Sequence, residues 1–473
     1  MGAFQNRAII PTANSLQPPD VAVTPIAVPA RPRRPGKPAE NITRGWQLIA
    51  CVFLPFAAGF YISYLFRSIN ALISGQLTAD FGLGAGDLGL LTSVYFLTFA
   101  AAQIPVGVLL DRHSPRRVQS ALLLVAAVGA ELFARSEGFA ALVLARALIG
   151  LGVAAALTAA LKAIVRWFPK ERIALANGCL VMVGALGAVT ATAPAEPLLV
   201  WVGWRSLFDL LAIATAGVAA VIYLVVPDDS APASLPRGAA TVSLKTIYTD
   251  PRFWRLAPLS AICAGSAWAI QGLWAVPWLT DVEGLDRPSL TQHLFVMAVA
   301  VCVGALLLGT AADRLRQRGI GPQVLLGIMA ILFIATQVAL ILRLPLPSYL
   351  PWAIVATLGA APVLSYAILA ECFPREVAGR ANGALNALHF GAAFLFQYST
   401  GLVLEQWTKH EGRYPTIAYQ VAFGLMTVLL LIALAWFEPR PAQRLWLVLR
   451  SNLCPHLVGR SHSTIERHKI RNK

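Results

Sequence analysis

Long apolar runs separated by short polar connections dominate the chain. Taken as stretches of about 20 residues, the length that crosses a bilayer core, they number about twelve. They fall near residues 46–74, 87–110, 117–134, 139–166, 174–200, 205–226, 256–280, 291–312, 321–342, 349–371, 382–404 and 417–437. The pattern predicts an all-α polytopic membrane protein. Its parts are an N-tail over 1–43, six helices over 44–227, a polar connection over 228–254, six more helices over 255–437 and a basic C-tail over 438–473. The N-tail is rich in Pro, Ala and Arg without a hydrophobic period, so it cannot bury enough surface to fold.

The two groups of six echo each other. Phe168-Pro169-Lys170-Glu171-Arg172 through Asn177-Gly178 returns as Phe373-Pro374-Arg375-Glu376-Val377 through Asn382-Gly383. Upstream of each copy, Gly107 to Asp111-Arg112 is matched by Gly309 to Asp313-Arg314. An internal repeat of this size predicts two pseudo-symmetric six-helix bundles.

Composition fits that reading. The chain is 57% hydrophobic and only 13% charged, where a soluble domain carries about 25% charged residues. The formal net charge of +15 does not form a basic stripe with stacking aromatics, so a nucleic-acid partner is not expected. Lys and Arg instead favour alternate connections: Arg112, Arg116 and Arg117; Lys170 and Arg172; Arg314, Arg316 and Arg318; Arg375 and Arg380. By the positive-inside rule this predicts an inner-membrane protein with both termini cytoplasmic. Trp201, Trp204, Trp278 and Trp407 fall near predicted outer ends, as interfacial belts do. The six cysteines have no paired spacing and read as small buried hydrophobes. No metal-ligand set, cofactor motif, paired carboxylates or nucleophile elbow is present, so an enzyme is not expected.

Gly107 to Arg117, GVLLDRHSPRR, resembles the loop signature of the major facilitator superfamily between its second and third helices. Ser114 and Pro115 stand where that signature has glycine. Gly309 to Arg318 resembles its second copy, and Arg146 to Gly152 its fourth-helix signature. The resemblance covers about residues 45 to 437 and implies alternating access between the two bundles. It also implies a cytoplasmic latch from Asp111 with Arg112, Arg116 and Arg117, and from Asp313 with Arg314. A carboxylate at a helix end favours a neighbouring helix N-terminus and a nearby Arg. Arg146 is grouped with this gating set, with partnership to backbone or another helix as its alternative.

In such a fold the solute site lies at the midplane between the bundles, built from polar groups that are costly inside apolar helices. Arg67 leads. Tyr61 to Asn70, YISYLFRSIN, looks like the first-helix segment of organophosphate–phosphate antiporters, where an Arg binds the anion. That group has a second Arg on its seventh helix, and Ser266 to Trp278 has none. One Arg suits a monoanion such as a carboxylate better than a phosphate dianion. Tyr64, Lys162, Gln271, Trp274, Asn386 and His389 complete the expected substrate-binding set. His389 reads first as a helix–helix hydrogen-bonding residue, with proton carrying as its alternative role. The expected function is secondary active transport of a small organic anion by a monomer, with H+ or another coupling ion. Two alternatives stay open: an exporter of hydrophobic or drug-like compounds, and a non-transporting membrane receptor on the same fold.

Overall fold

The computed structural model describes residues 45–228, 244–360, 362–373 and 375–437. The expected N-tail and C-tail, and most of the 228–254 connection, lie outside them.

Among the described residues, eleven helices are long and apolar enough to cross a membrane. They are α1 (Trp46–Phe81), α2 (Ala85–Arg112), α3 (Pro115–Ala134), α4 (Phe139–Trp167), α5 (Lys170–Thr190), α6 (Glu196–Val225), α7 (Pro251–Asp281), α8 (Arg287–Gln317), α9 (Pro322–Ile341), α11 (Gly379–Leu404) and α12 (Thr416–Phe437). The twelfth crossing, α10, is two helical pieces, Tyr349–Leu358 and Pro362–Cys372. Twelve crossings return the chain to the face it started from. That face is called the terminal face below, and the opposite one the far face.

Local chemistry sets these boundaries. Gly82 takes the left-handed conformation (φ 63°) that ends α1, about two turns later than the hydrophobic run alone predicts. Asp250 and Asp286 cap α7 and α8 by accepting from the Arg252 and Ser289 backbone N–H groups. Hydrogen bonding from Ser289 holds the Asp286 carboxyl below the usual carboxylate range. The fifth crossing ends at Thr190, and Glu196 opens α6, where the apolar pattern predicts one run to residue 200. A turn over 191–195 makes the difference.

Both copies of the repeated phrase fall at equivalent places. Phe168 to Gly178 spans the α4–α5 connection, and Phe373 to Gly383 the α10–α11 connection. Asp111 lies at the end of α2 and Asp313 in the last turns of α8. Within the first bundle α3 packs on α4 and α6, and α1 on α5; in the second, α7 packs on α11 and α12. Close approach needs small residues: a Cβ on Gly152 of α4 would lie 2.3 Å from the Ala126 nitrogen of α3. Large apolar side chains such as Val200, Ile213 and Leu224 point outward, as lipid-facing positions require.

Trp201 is 82% exposed, but Trp204 and Trp278 are buried. Two of the four expected interfacial tryptophans are therefore core residues, held by indole hydrogen bonds to Asp80 and Glu283. A Trp near a helix end satisfies either role, and here a nearby carboxylate draws the ring inward.

The bundles meet along α2 with α11, α1 with α7, and α5 with α8. Phe99 stacks on Phe390 with ring centroids 4.0 Å apart. Towards the far face the contact is backbone to backbone, since a Cβ on Gly401 would sit 2.4 Å from the Ala85 carbonyl oxygen. Glu405 accepts a hydrogen bond from the Gly86 N–H at 2.8 Å. Arg287 at the start of α8 reaches Glu196 at the start of α6. The far face is thus closed.

Candidate functional site

Arg67 lies mid-way along α1 on the face turned to the second bundle. Its guanidinium sits 4.1 Å from the Tyr64 ring centroid and 5.3 Å from that of Trp268 on α7. Arg67, Ser68, Thr192, Trp268 and Gln271 line one cleft between the bundles, closed by Leu294 and Met297 of α8. No carboxylate forms an ion pair with Arg67 among the described residues. A guanidinium held by two aromatic faces and lacking a counter-ion keeps its fork of N–H donors available for an anion. The cleft leaves about 50 Å³ of open space. A water takes about 30 Å³ of liquid, so a larger guest requires α1 and α7 to part.

The break in α10 explains how Gln271 and Trp268 are held. Where that helix is interrupted, its last carbonyls need donors from outside. Gln271 Nε2 donates to the Ala356 oxygen at 3.1 Å and Trp268 Nε1 to the Gly359 oxygen at 3.3 Å. A wider helical turn over Ile270–Trp274 carries Gln271, and Trp268 lies just before it; such turns recur at functional sites.

A second polar group adjoins the cleft. His389 on α11 has its ring centroid 6.1 Å from that of Trp268. Its Nε2 meets Ser260 Oγ at 2.7 Å, and Ser260 donates to Ser365 at 2.7 Å. Tyr366 donates to Asn386 Oδ1 at 2.8 Å, and its hydroxyl lies 3.3 Å from His389 Nδ1. Asn386 Nδ2 donates to Gln103 Oε1 of α2 at 3.2 Å, which carries the network across the bundle interface.

The expected substrate-binding residues therefore divide. Arg67 and Gln271 line the cleft, Tyr64 lies against the Arg67 guanidinium, and Asn386 and His389 form the adjoining network. Trp274 is buried further towards the far face, donating to the Gln397 carbonyl at 3.0 Å. Lys162 is elsewhere: its ammonium donates to the Leu110 carbonyl and lies 3.8 Å from Asp111, at the terminal end of α2.

The expected gating residues pair within their own bundle. Arg117 meets Asp228 at 2.6 Å, and Arg116 donates to the Val226 carbonyl at 2.9 Å while covering the Tyr223 ring. Asp111, Arg112, Asp313 and Arg314 are exposed at helix ends. Arg146 is buried in the first bundle, donating to the Phe66 carbonyl and to Asn70, with its guanidinium 4.6 Å from the Phe133 ring centroid. It ties α4 to α1 and does not reach the second bundle.

The sequence pattern does not single out Trp268, Ser260 or Ser365, and it marks Glu196 and Arg287 as outer-end charges without pairing them. Trp268 lies three residues before Gln271, on the same helical face, so spacing alone would have found it. The Ser260–His389 contact joins two helices far apart in sequence and leaves no local mark.

Relatives bear on the same architecture. The probable sulfoacetate transporter SauU of Cupriavidus necator is 24% identical over 274 residues, covering 55% of this chain. The chain spans 64% of that relative's length. The membrane sensor protein UhpC of Salmonella typhimurium is 23% identical, covering 81% of this chain and 90% of its own. In fold, a bacterial homolog of the human lysosomal transporter Spinster, solved in an inward-facing and unoccupied conformation, superposes with a TM-score of 0.67 at 18% identity. That match covers 84% of this chain and 97% of the other. The family model of the Major Facilitator Superfamily matches residues 56–396, and with twelve crossings in paired bundles the chain belongs to that superfamily.

Proposed function

We propose that the protein is a secondary active transporter of a small organic anion, a carboxylate by preference, working by alternating access. One observation carries this: Arg67 sits between the bundles, braced by Tyr64 and Trp268, with no carboxylate beside it among the described residues. A half-buried cation inside the membrane and without a counter-ion is costly, and a bound anion removes that cost. The relative named as a probable sulfoacetate transporter supports an anion carrying a carboxylate. Gln271 and Ser68 would fix the orientation of the guest. Lys162 would act at the terminal end of α2 and not at the cleft. The positive charge at the terminal-face ends of α2 and α8 supports an inner-membrane protein with cytoplasmic termini.

The test is ligand binding to the purified full chain. A panel of small mono- and dicarboxylates, sulfonates and phosphates is screened by thermal shift, then repeated on Arg67→Ala and Arg67→Lys. Carboxylates should stabilise the parent, lose that effect in Arg67→Ala, and recover little of it in Arg67→Lys because the fork is lost. Equal stabilisation of Arg67→Ala would remove the assignment.

A second reading has its own support, since the relative aligned along 90% of its length is named a membrane sensor protein. Liposome uptake separates the two. A protein that binds the anion but moves none of it is a sensor.

A further inference from the structure

Away from the cleft, the far-face end of the second bundle holds a chain of three side chains that the transport reading does not use. Glu283 follows α7, Ser348 precedes α10, and His293 lies in the second turn of α8. Ser348 Oγ is 2.6 Å from Glu283 Oε2, and His293 Nε2 is 2.8 Å from the same Ser348 Oγ. His293 Nδ1 is 2.7 Å from the Ser289 carbonyl oxygen. The other Glu283 oxygen accepts from both Trp278 and Trp352 indoles at 3.2 Å.

A carbonyl only accepts, so the His293 Nδ1 contact is made only when Nδ1 carries a hydrogen. Glu283 Oε1 faces two donors, so it carries none. Ser348 has one hydroxyl hydrogen and two neighbours, Nε2 and Oε2. Neutral His293 and ionised Glu283 leave two hydrogens, one on the imidazole and one on Ser348, for three contacts. All three are made only when the chain holds one more proton. That proton sits on Nε2, with Ser348 donating to the carboxylate, or on Oε2, with Ser348 donating to the imidazole. Moving between the two needs only a shift of hydrogens along the chain.

We infer that His293, Ser348 and Glu283 form a binding site for a single shared proton. Access comes from a cleft lined by Glu283, Ser348, Pro351 and Arg343, which has about 170 Å³ of open space. The charged and titratable neighbours are accounted for. Arg343 lines the same cleft, and Tyr349 stacks on the His293 ring at 3.9 Å while donating to Gln292. Asp281 is taken by Tyr419 and the Tyr414 N–H. Asp286 caps α8 and Arg287 is bound to Glu196. None of these supplies the missing hydrogen. Gaining the proton adds one N–H or O–H bond and one hydrogen bond among α7, α8 and α10. Losing it returns the proton to the far-face solution.

The site stands apart from the anion reading, and loss of anion binding in Arg67→Ala leaves it untouched. The experiment labels the full chain with 15N-histidine in nanodiscs and assigns His293, one of seven histidines, by its loss in His293→Gln. An infrared difference against Glu283→Gln reports the carboxyl. Near neutral pH either His293 should carry hydrogen on both ring nitrogens or Glu283 should show a protonated carboxyl band. On raising the pH both reporters should change in one step. Ser348→Ala keeps both end groups and should split that step in two. A neutral ring beside an ionised carboxylate near neutral pH overturns the inference. So does a Ser348→Ala protein whose two reporters still change together.

Discussion

Arg287 grips Glu196 across the bundle interface with two parallel contacts of 2.7 Å, one from Nε and one from a terminal nitrogen. The same guanidinium donates to the Leu72 carbonyl of α1 at 3.0 Å. One side chain on α8 therefore ties together the starts of α6 and α8 and the outer part of α1. In sequence terms Arg287 is the lone basic residue in a connection otherwise poor in Lys and Arg, where topology alone gives it no task.

Removing that grip should favour the conformer open at the far face. The pair is partly exposed, with side chains 39% and 19% accessible, so screening limits its strength to about 1 kcal/mol. That still moves a two-state equilibrium by roughly fivefold. Spin labels placed in pairs across the far face of Arg287→Ala, read by double electron–electron resonance, should show a larger population at the longer distance. An unchanged distribution would mean that the grip does not hold the halves together.

Gly401 holds the same far-face interface by backbone contact. A Cβ at this position would lie 2.4 Å from the Ala85 carbonyl oxygen and 3.0 Å from the Gly86 Cα, both backbone atoms that cannot rotate away. Gly401→Ala should keep α2 and α11 apart at the far face while leaving each bundle intact. A cysteine introduced at Thr78, which lines the far-face cavity, should then react faster with a membrane-impermeant maleimide. Labelling at the parent rate would show that the interface absorbs a methyl group.

Much of this architecture was legible in the chain, for a physical reason. A bilayer demands about 20 apolar residues per crossing, so the apolar runs, the duplicated turn phrases and the Asp111 and Asp313 helix ends all carry strong local signals. Arg67 was legible for the same reason, since a guanidinium inside an apolar run is rare. What escaped was set by contact between distant segments. The break in α10 falls where Pro362 interrupts the apolar run, but the Gln271 and Trp268 donors that satisfy its carbonyls come from α7 and leave no local mark. Lys162 reads equally as a path-lining cation or as one whose stem snorkels towards the terminal face, and its ammonium reaches the Leu110 carbonyl there. Trp204 and Trp278 read as interface anchors, because burial depends on Asp80 and Glu283 supplied by other segments.

Trp268 is the residue to test for bracing Arg67. Its ring lies 5.3 Å from the guanidinium carbon, and its indole is pinned to Gly359. A desolvated cation–π contact is worth about 1–2 kcal/mol. Trp268→Ala should therefore raise the Kd of the stabilising anion by about tenfold, and Trp268→Phe, which keeps a weaker ring, by less. Isothermal titration on the two variants checks this. An equal loss in both would mean that the indole N–H, and not the ring face, does the positioning.

Arg146 and Asn70 separate stability from binding. Arg146 is 1% exposed, and its hydrogen bonds go to Asn70 and the Phe66 carbonyl, with Nε lacking a partner. Asn70 also donates to Thr92 of α2, so one amide joins α1, α2 and α4. Replacing it leaves a buried guanidinium with one donor fewer satisfied, a loss of about 1–3 kcal/mol or more for a charged group. Asn70→Ala should lower the melting temperature clearly, whereas Asn70→Asp, which supplies a carboxylate to the buried cation, should recover much of it. Because Asn70 lies one turn beyond Arg67 on α1 and outside the cleft, anion affinity measured below the melting point should change little in either variant. A large affinity loss in Asn70→Asp would place the Arg146 cluster within the binding machinery and not beneath it.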